Sequence, residues 1–191
     1  MARIEAIGRE LADKLKGYSA DYIEVHLEES QASHITYRGR ELESIDRTTA
    51  TGGNVRALVR GGWGFVSFNS LNELPHRVEQ AVKQAQFVGN EESKLARVEP
   101  LVDTVLAEVS QNPVTIPLTE KKRLLNEYND IIWSTPRIQT SNINYGDGYK
   151  KSLFLNSLGS YIEQERTDIT LRLVVIATKG NEVQQAGVSL G

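Results

Sequence analysis

Residues 52–68, GGNVRALVRGGWGFVSF, contain the clearest structural signal in the chain. Val55, Ala57 and Val59 recur with a period of two, which predicts a β-strand with one buried face. The pair Gly61-Gly62 follows at once, and a second β-prone run begins at Trp63. Two such runs joined through a glycine pair predict a β-hairpin. The chain is therefore expected to contain antiparallel sheet.

The same period of two appears nearer the N-terminus. In residues 22–28 the apolar members are Ile23, Val25 and Leu27, and the polar members are Glu24, His26 and Glu28. Such alternation predicts a strand that buries one face, with the polar members forming a solvated outer face. A further strand is predicted around residues 35–37, and Gly39 ends it before residues 42–45.

Helical periodicity occurs in three places. Apolar residues at helical spacing predict amphipathic helices at residues 3–16, 73–88 and 119–133. Ser70-Leu71-Asn72-Glu73 fits a capping box before the second helix, and Thr119 is the expected N-cap of the third. Helices that alternate with such strands predict an α+β fold, mainly antiparallel sheet with packed helices.

The second half of the chain also reads as helix followed by strands. Strand patterns lie at 138–145, 151–156, 160–166 and 169–178, with turns predicted at Gly146-Asp147-Gly148 and at 156–159. Residues 91–118 contain three prolines and no sustained period, which predicts a linker or crossing segment. The predicted organisation is an N-terminal α+β lobe (1–90), this linker (91–118) and a helix-plus-strands lobe (119–191).

The composition is that of an ordinary soluble globular protein, with 39% hydrophobic and 25% charged residues. The net charge of −3 gives no basic excess for nucleic acid, so a nucleic-acid partner is not expected. No stretch approaches the ~20 apolar residues of a membrane span, so no membrane partner is expected either. The sequence contains no cysteine, which excludes disulfides, thiolate metal sites and cysteine catalysis.

Few residues are candidates for metal or catalytic chemistry. A zinc protease needs two imidazoles on one helix face, a third ligand and a carboxylate base. The sequence has only His26, His34 and His76, with no pair at helical spacing and none followed by glutamate. A G-x-S-x-G nucleophile motif is also absent from the sequence. We therefore assign no catalytic residue and no metal ligand to this sequence, and substrate-binding residues stay unassigned.

Two surface features have alternative interpretations. Arg56 and Arg60 are expected on one strand face, with Arg38 and Arg47 in neighbouring segments. This row is either a surface for acidic peptide or nucleic acid, or a charged face paired with Glu41, Glu43 and Asp46, and the paired face is expected. Trp63 is either a recognition aromatic or a core plug at a hairpin end, and the core plug is expected.

Several stretches in this order resemble the TldD/PmbA family. The glycine-containing strand at 52–58, followed by Gly61-Gly62-Trp63-Gly64-Phe65, resembles the signature near the start of those proteins, although Asn54 stands where a second glycine is usual. Residues 20–25 resemble the family's first strand. Asn156-Ser157-Leu158-Gly159 resembles its Asn-Ser-x-Gly turn, and residues 184–187 resemble its approach to a glycine-rich stretch. The resemblance covers nearly the whole chain.

The resemblance implies a cytoplasmic zinc metallopeptidase that acts on unfolded or extended peptides. In the family the HExxxH zinc helix lies beyond the region matched here, so these residues are expected to be the N-terminal, non-catalytic part, leading into a C-terminal catalytic domain. Zinc is expected in the full-length protein only. The expected partners are a peptide or unfolded polypeptide substrate and a second subunit, in a homodimer or a heterodimer with a family paralogue.

Two alternatives to this function stay open. The chain is either part of an active enzyme or part of a catalytically inactive, PmbA-like partner subunit, since the zinc motif that separates them lies outside the sequence. A gyrase-linked regulatory or nucleic-acid-associated role follows from the family's older label, modulator of DNA gyrase. A salt-dependent binding titration separates that role from the others.

Overall fold

The computed structural model describes residues 4–91, 93 and 95–191. In these residues the α-helices are α1 (Ile4–Leu15), α2 (Leu74–Val88) and α3 (Leu118–Ser134), and a 3₁₀ helix covers Pro113–Thr115. The helices predicted at 3–16, 73–88 and 119–133 are confirmed with small shifts at their ends, and Arg3 lies outside the described residues. None of these helices combines the length and apolar character needed to cross a membrane.

The strands form one mainly antiparallel sheet. They are β1 (Tyr22–Arg38), β2 (Glu41–Val59), β3 (Gly62–Phe68), β4 (Val102–Val105), β5 (Ile138–Asn156), β6 (Tyr161–Lys179) and β7 (Glu182–Leu190). Their hydrogen-bonded order is β3-β2-β1-β5-β6-β4, with β7 also paired to β6. β2–β3 and β6–β7 are antiparallel, whereas β4 runs parallel to β6. The predicted α+β class with mainly antiparallel sheet is confirmed.

The strands are longer than the sequence predicts. The patterns at 138–145 and 151–156 belong to one strand, β5, so the turn predicted at Gly146-Asp147-Gly148 is wrong. Likewise, the patterns at 160–166 and 169–178 both lie in β6. Neither Gly146 nor Gly148 has a positive φ, and extended glycines can continue a strand.

Three local expectations are corrected. The β2–β3 turn is Arg60-Gly61 rather than Gly61-Gly62, because Val59 pairs with Gly62 and both turn residues have positive φ, 47° and 81°. Helix α2 is preceded by Glu73 with φ of 62° and has no side-chain cap hydrogen bond, so the capping box does not form. Helix α3 starts at Leu118 after Pro117, which displaces Thr119 from the cap position.

The chain contains two compact units, which interleave in sequence. The first comprises Met1–Ser30, Ala50–Ala107 and Lys150–Glu165, and the second comprises Gln31–Thr49, Glu108–Tyr149 and Arg166–Gly191. The segment predicted as linker, 91–118, contains β4 and the 3₁₀ helix. The division of the sequence at residues 90 and 118 stays a prediction.

In the first unit, α1 and α2 pack on one face of the sheet. Ile23, Val25 and Leu27 of β1 supply this inner face, together with alternate residues of β2 and β5. The helices contribute the buried side chains Ile4, Leu11, Leu15, Leu74, Val78 and Val82. Burial of this apolar area from water provides the main stabilisation of the unit.

The second unit has its own smaller core. Leu125 of α3 packs with Ile35, Tyr37 and Ile143, which come from β1 and β5. Leu171 and Leu173 of β6 pack against the same cluster. Strand β7 is exposed along its length, so it forms an uncovered border of this unit.

Candidate functional site

The strongest candidate site lies on the outer face of the first unit's sheet, opposite α1 and α2. Because successive side chains point to opposite faces of a strand, burial of Ile23, Val25 and Leu27 turns Tyr22, Glu24 and His26 outward. The same argument places Arg56 of β2 and Phe154 of β5 on the outer face. We call these residues and Trp63 of β3 the outer-face cluster.

Glu24 is the centre of the polar contacts in this cluster. The Tyr22 hydroxyl donates a hydrogen bond to Glu24 Oε2 at 2.9 Å, and Arg56 Nη1 lies 3.1 Å from Glu24 Oε1. The imidazole Nε2 of His26 is 3.8 Å from the same Oε1. Only 12% of the Glu24 side chain is exposed, so these partners replace water in stabilising its carboxylate.

The Tyr22 hydroxyl responds to this setting. Burial, and then the hydrogen bond to the Glu24 carboxylate, raise the pKa of Tyr22 to about 12. The hydroxyl therefore stays protonated and remains a donor to Glu24 over the physiological pH range. Glu24 thus serves as the acceptor of a fixed network rather than as a free carboxylate.

Trp63 lies on the outer face and not in the core, so the expectation of a core plug is wrong. The indole is 38% exposed, the Arg56 guanidinium lies 4.5 Å from its ring centroid, and the Tyr22 ring meets it edge-on at 6.3 Å. The neighbours Gly62 and Gly64 face α2 instead. A Cβ on Gly64 would overlap the Ala81 carbonyl oxygen, so these glycines let the helix approach the strand.

Two cavities adjoin at Phe154 on this face. One, of about 440 Å³, is lined mainly by apolar side chains, including Trp63, Val98 and Leu158. The other, of about 470 Å³, has a mixed lining, with Asn54, Ser152 and Gln164 beside apolar side chains such as Phe68. We call the two cavities together the outer-face groove. Its apolar part includes five residues of the segment that the sequence identified only as linker, which are Leu95, Ala96, Val98, Glu99 and Leu101.

The polar face predicted for β1 is partly confirmed. Glu24, His26 and Glu28 do share the outer face, but Glu24 is largely buried rather than solvated. Its burial could not be foreseen, because Arg56 and Trp63 come from other strands.

The four arginines do not form one row. Arg38 pairs with Glu43 at 2.8 Å, as expected for a charged sheet face, and Arg47 donates to the Ile116 carbonyl at 3.1 Å. Arg60 lies in the β2–β3 turn rather than on the strand, where its backbone N–H donates to Asp21 Oδ2 at 2.6 Å. Arg56 alone joins the outer-face cluster.

The histidines have different surroundings. His26 contacts the Phe154 ring in the first unit, His34 lies beside Gly146 in the second, and His76 is on α2 near Glu79. Among the described residues no three His, Cys, Asp or Glu side chains are grouped to hold a metal ion. The donor set present does not fit a zinc site, so we derive no hydrolytic step from these residues.

The second unit contains a buried polar network that the sequence patterns did not predict. Lys121 Nζ of α3 donates to Asp147 Oδ2 at 2.6 Å and to Ser33 Oγ at 3.2 Å. Burial, and then a hydrogen bond to Asp147, raise the pKa of Tyr145. The one sequence signal for this network was Lys121, a lysine at a buried position of the α3 face. The network is enclosed, and we treat it as structural.

Family models match two parts of the chain. The model described as PmbA/TldA metallopeptidase domain 1 matches residues 23–85, and the model of the PmbA/TldA metallopeptidase central domain matches residues 111–191. A metalloprotease of Synechocystis sp. is 35% identical over 167 residues, which is 86% of this chain and 36% of the relative. A metalloprotease of Methanothermobacter thermautotrophicus is 28% identical over 174 residues, 90% of this chain and 37% of the relative.

Solved structures share the fold. A candidate modulator of a DNA gyrase from Thermotoga maritima has a TM-score of 0.76 at 15% identity, covering 98% of this chain and 42% of that one. TldE from Thermococcus kodakarensis has a TM-score of 0.73 at 15% identity, covering 96% and 42%. At this identity the likeness establishes the fold alone. The chain spans little more than a third of the length of the curated relatives it matches.

Proposed function

Because the chain belongs to the PmbA/TldD metallopeptidase family, we propose that it is the N-terminal, non-catalytic part of a zinc metallopeptidase acting on unfolded or extended peptides. The observation that carries the proposal is the match to a first and a central metallopeptidase domain in a chain whose described residues group no metal ligands. Zinc and the hydrolytic residues then belong to the remainder of a longer protein.

The sheet supports a role in holding extended peptide. An edge strand offers backbone donors and acceptors to any extended chain regardless of its side chains. In the described structure β7 pairs with β6 alone and is exposed throughout. Such backbone-directed contacts suit a peptidase that has little sequence preference.

The proposal extends to partners and location. We propose a cytoplasmic protein that works as a homodimer or as a heterodimer with a family paralogue, in which a second subunit covers exposed edges. The catalytically inactive partner subunit remains the alternative within the same family. The zinc content of the longer protein separates the two.

The test compares the 191-residue chain with a longer protein that contains it. We expect the longer protein to retain zinc after dialysis and to cleave casein until a chelator is added, whereas the chain alone does neither. Stoichiometric zinc in the chain alone, or chelator-sensitive proteolysis by it, would contradict the proposal. A longer protein without zinc that activates a zinc-bearing paralogue would favour the inactive-partner alternative.

A further inference from the structure

We propose that the apolar cavity of the outer-face groove binds a basic side chain, of lysine or arginine, in a polypeptide. The aliphatic stem of that side chain lies against the apolar walls, and its cationic head pairs with the carboxylate of Glu99. The inference rests on the proposed function and deepens it, because it names the class of peptide residue that this part of the protein holds. Three features carry it: an unpaired carboxylate, an anchored backbone beside it, and walls that suit an aliphatic stem.

The charged side chains that line this cavity of about 440 Å³ leave one carboxylate without compensation. They are Glu24, Arg56 and Glu99. Arg56 Nη1 lies 3.1 Å from Glu24 Oε1, so these two charges largely offset each other. Glu99 forms neither an ion pair nor a side-chain hydrogen bond with any other described residue. The lining therefore has an excess of negative charge, which attracts a cationic ligand and repels an anionic one.

The backbone that carries Glu99 is anchored to β6 two residues further on. The N–H of Leu101 donates to Ser160 Oγ at 3.2 Å, and the Leu101 carbonyl accepts from the N–H of Tyr161 at 2.8 Å. These two bonds hold the segment beside the cavity that Glu99 lines. Arg97 is also close in sequence, but it does not line this cavity and forms no ion pair with a described residue. The Glu99 carboxylate is thus held at the cavity and is available to a ligand.

The walls of the cavity suit the stem of a basic side chain. They are largely apolar and include Trp63, Phe154, Val98 and Leu158. Lysine and arginine place their methylene groups along apolar surface while the charged head stays in contact with water. The Arg56 guanidinium already lies over the Trp63 ring, 4.5 Å from its centroid, and it would repel a second cation there. The head of the bound side chain is therefore directed to Glu99.

The experiment uses the fluorescence of Trp63 in a Trp133→Phe background, since these are the only two tryptophans and Trp133 lies in the second unit beside Arg40. The probes are short end-capped peptides that differ only at a central lysine, norleucine or glutamate. Norleucine keeps the four-carbon stem of lysine and lacks its charge. We expect saturable binding of the lysine peptide, about 3–5-fold weaker binding of the norleucine peptide, and the weakest binding of the glutamate peptide. Added salt should reduce the preference for lysine over norleucine.

Variants locate the binding. Glu99→Gln should remove the preference for lysine and change the affinity for the norleucine peptide by less than about 2-fold. Glu99→Lys should reverse the preference, so that the glutamate peptide binds more tightly than the lysine peptide. Glu108→Gln is the matched control, because Glu108 is also an exposed carboxylate of the segment 91–118 but belongs to the second unit and lines neither cavity of the groove. It should keep the preference of the parent. Circular dichroism verifies that each variant keeps its fold.

Several outcomes would overturn the inference. They are equal affinity for the lysine and norleucine peptides, a preference for lysine that survives Glu99→Gln, or one that Glu108→Gln removes as well. Trp63 fluorescence that depends on protein concentration without peptide would assign the groove to a second copy instead. Casein cleavage by the longer protein is measured independently of these titrations, so the groove and the proposed function fail separately.

Discussion

Lys121 and Asp147 form an ion pair whose side chains are 3% and 0% exposed. Removing one partner leaves a buried charge without compensation. We expect Lys121→Met to lower the free energy of unfolding by about 3–5 kcal/mol. The double variant Lys121→Met/Asp147→Leu should recover at least half of that loss, because no charge remains buried. Urea denaturation measures both, and a double variant as unstable as the single one would contradict this account.

Tyr22 makes the free energy of unfolding depend on pH in the alkaline range. Its pKa is about 12 in the folded protein, mainly because of burial, against an ordinary value of 10.0. Above pH 10 the unfolded chain releases this proton while the folded chain keeps it, so the free energy of unfolding falls as pH rises toward 12. Below pH 10 the contribution is fully present. We expect a shallower fall in Tyr22→Phe, measured by urea denaturation across this range. Parallel curves for the two proteins would refute it.

The residues of the candidate site could be predicted singly but not as a site. The alternation in residues 22–28 placed Glu24 and His26 on one face, because period two follows from strand geometry alone. Their partners Arg56, Trp63 and Phe154 come from other strands, and five residues of the groove's lining come from the predicted linker. Only the strand register and the course of that segment bring them together, and neither is encoded in local sequence patterns.

At the level of elements, Gly64 controls how closely α2 packs on β3. We expect Gly64→Ala to destabilise the protein by about 1–3 kcal/mol, because the new Cβ would overlap the Ala81 carbonyl oxygen, which is backbone and cannot rotate away. Gly148→Ala in β5 is the matched control. There the nearest atom is 3.9 Å from a built Cβ, and we expect a change within about 0.5 kcal/mol. Thermal unfolding compares the two, and equal losses would reject this role of Gly64.

Helices were easier to predict than strand lengths, and burial explains the difference. A helix that packs on a sheet keeps its apolar period over its whole length, as α2 does from Leu74 to Ala85. A strand shows its period only where one face is covered. The start of β2 is exposed on both faces. Residues 43–50 therefore show no alternation of apolar and polar side chains and were not predicted as a strand. The predicted pieces are therefore the covered parts of longer strands.

For the whole molecule, the exposed edge strand β7 predicts association. Its nine residues contain one charged side chain, Glu182, and no proline or lysine that would discourage pairing with another chain. Val183, Val188 and Leu190 are exposed on it, so water contacts apolar surface along an open edge.

We expect a longer protein that contains these residues to sediment as a dimer at micromolar concentrations. Val188→Lys should shift the equilibrium toward monomer if β7 is the pairing edge, because a lysine there must be desolvated on pairing. Gln86→Lys, at an exposed position of α2, is the control for added charge and should leave the dimer intact. Sedimentation as a monomer throughout the micromolar range would show that the open edge is tolerated without a partner.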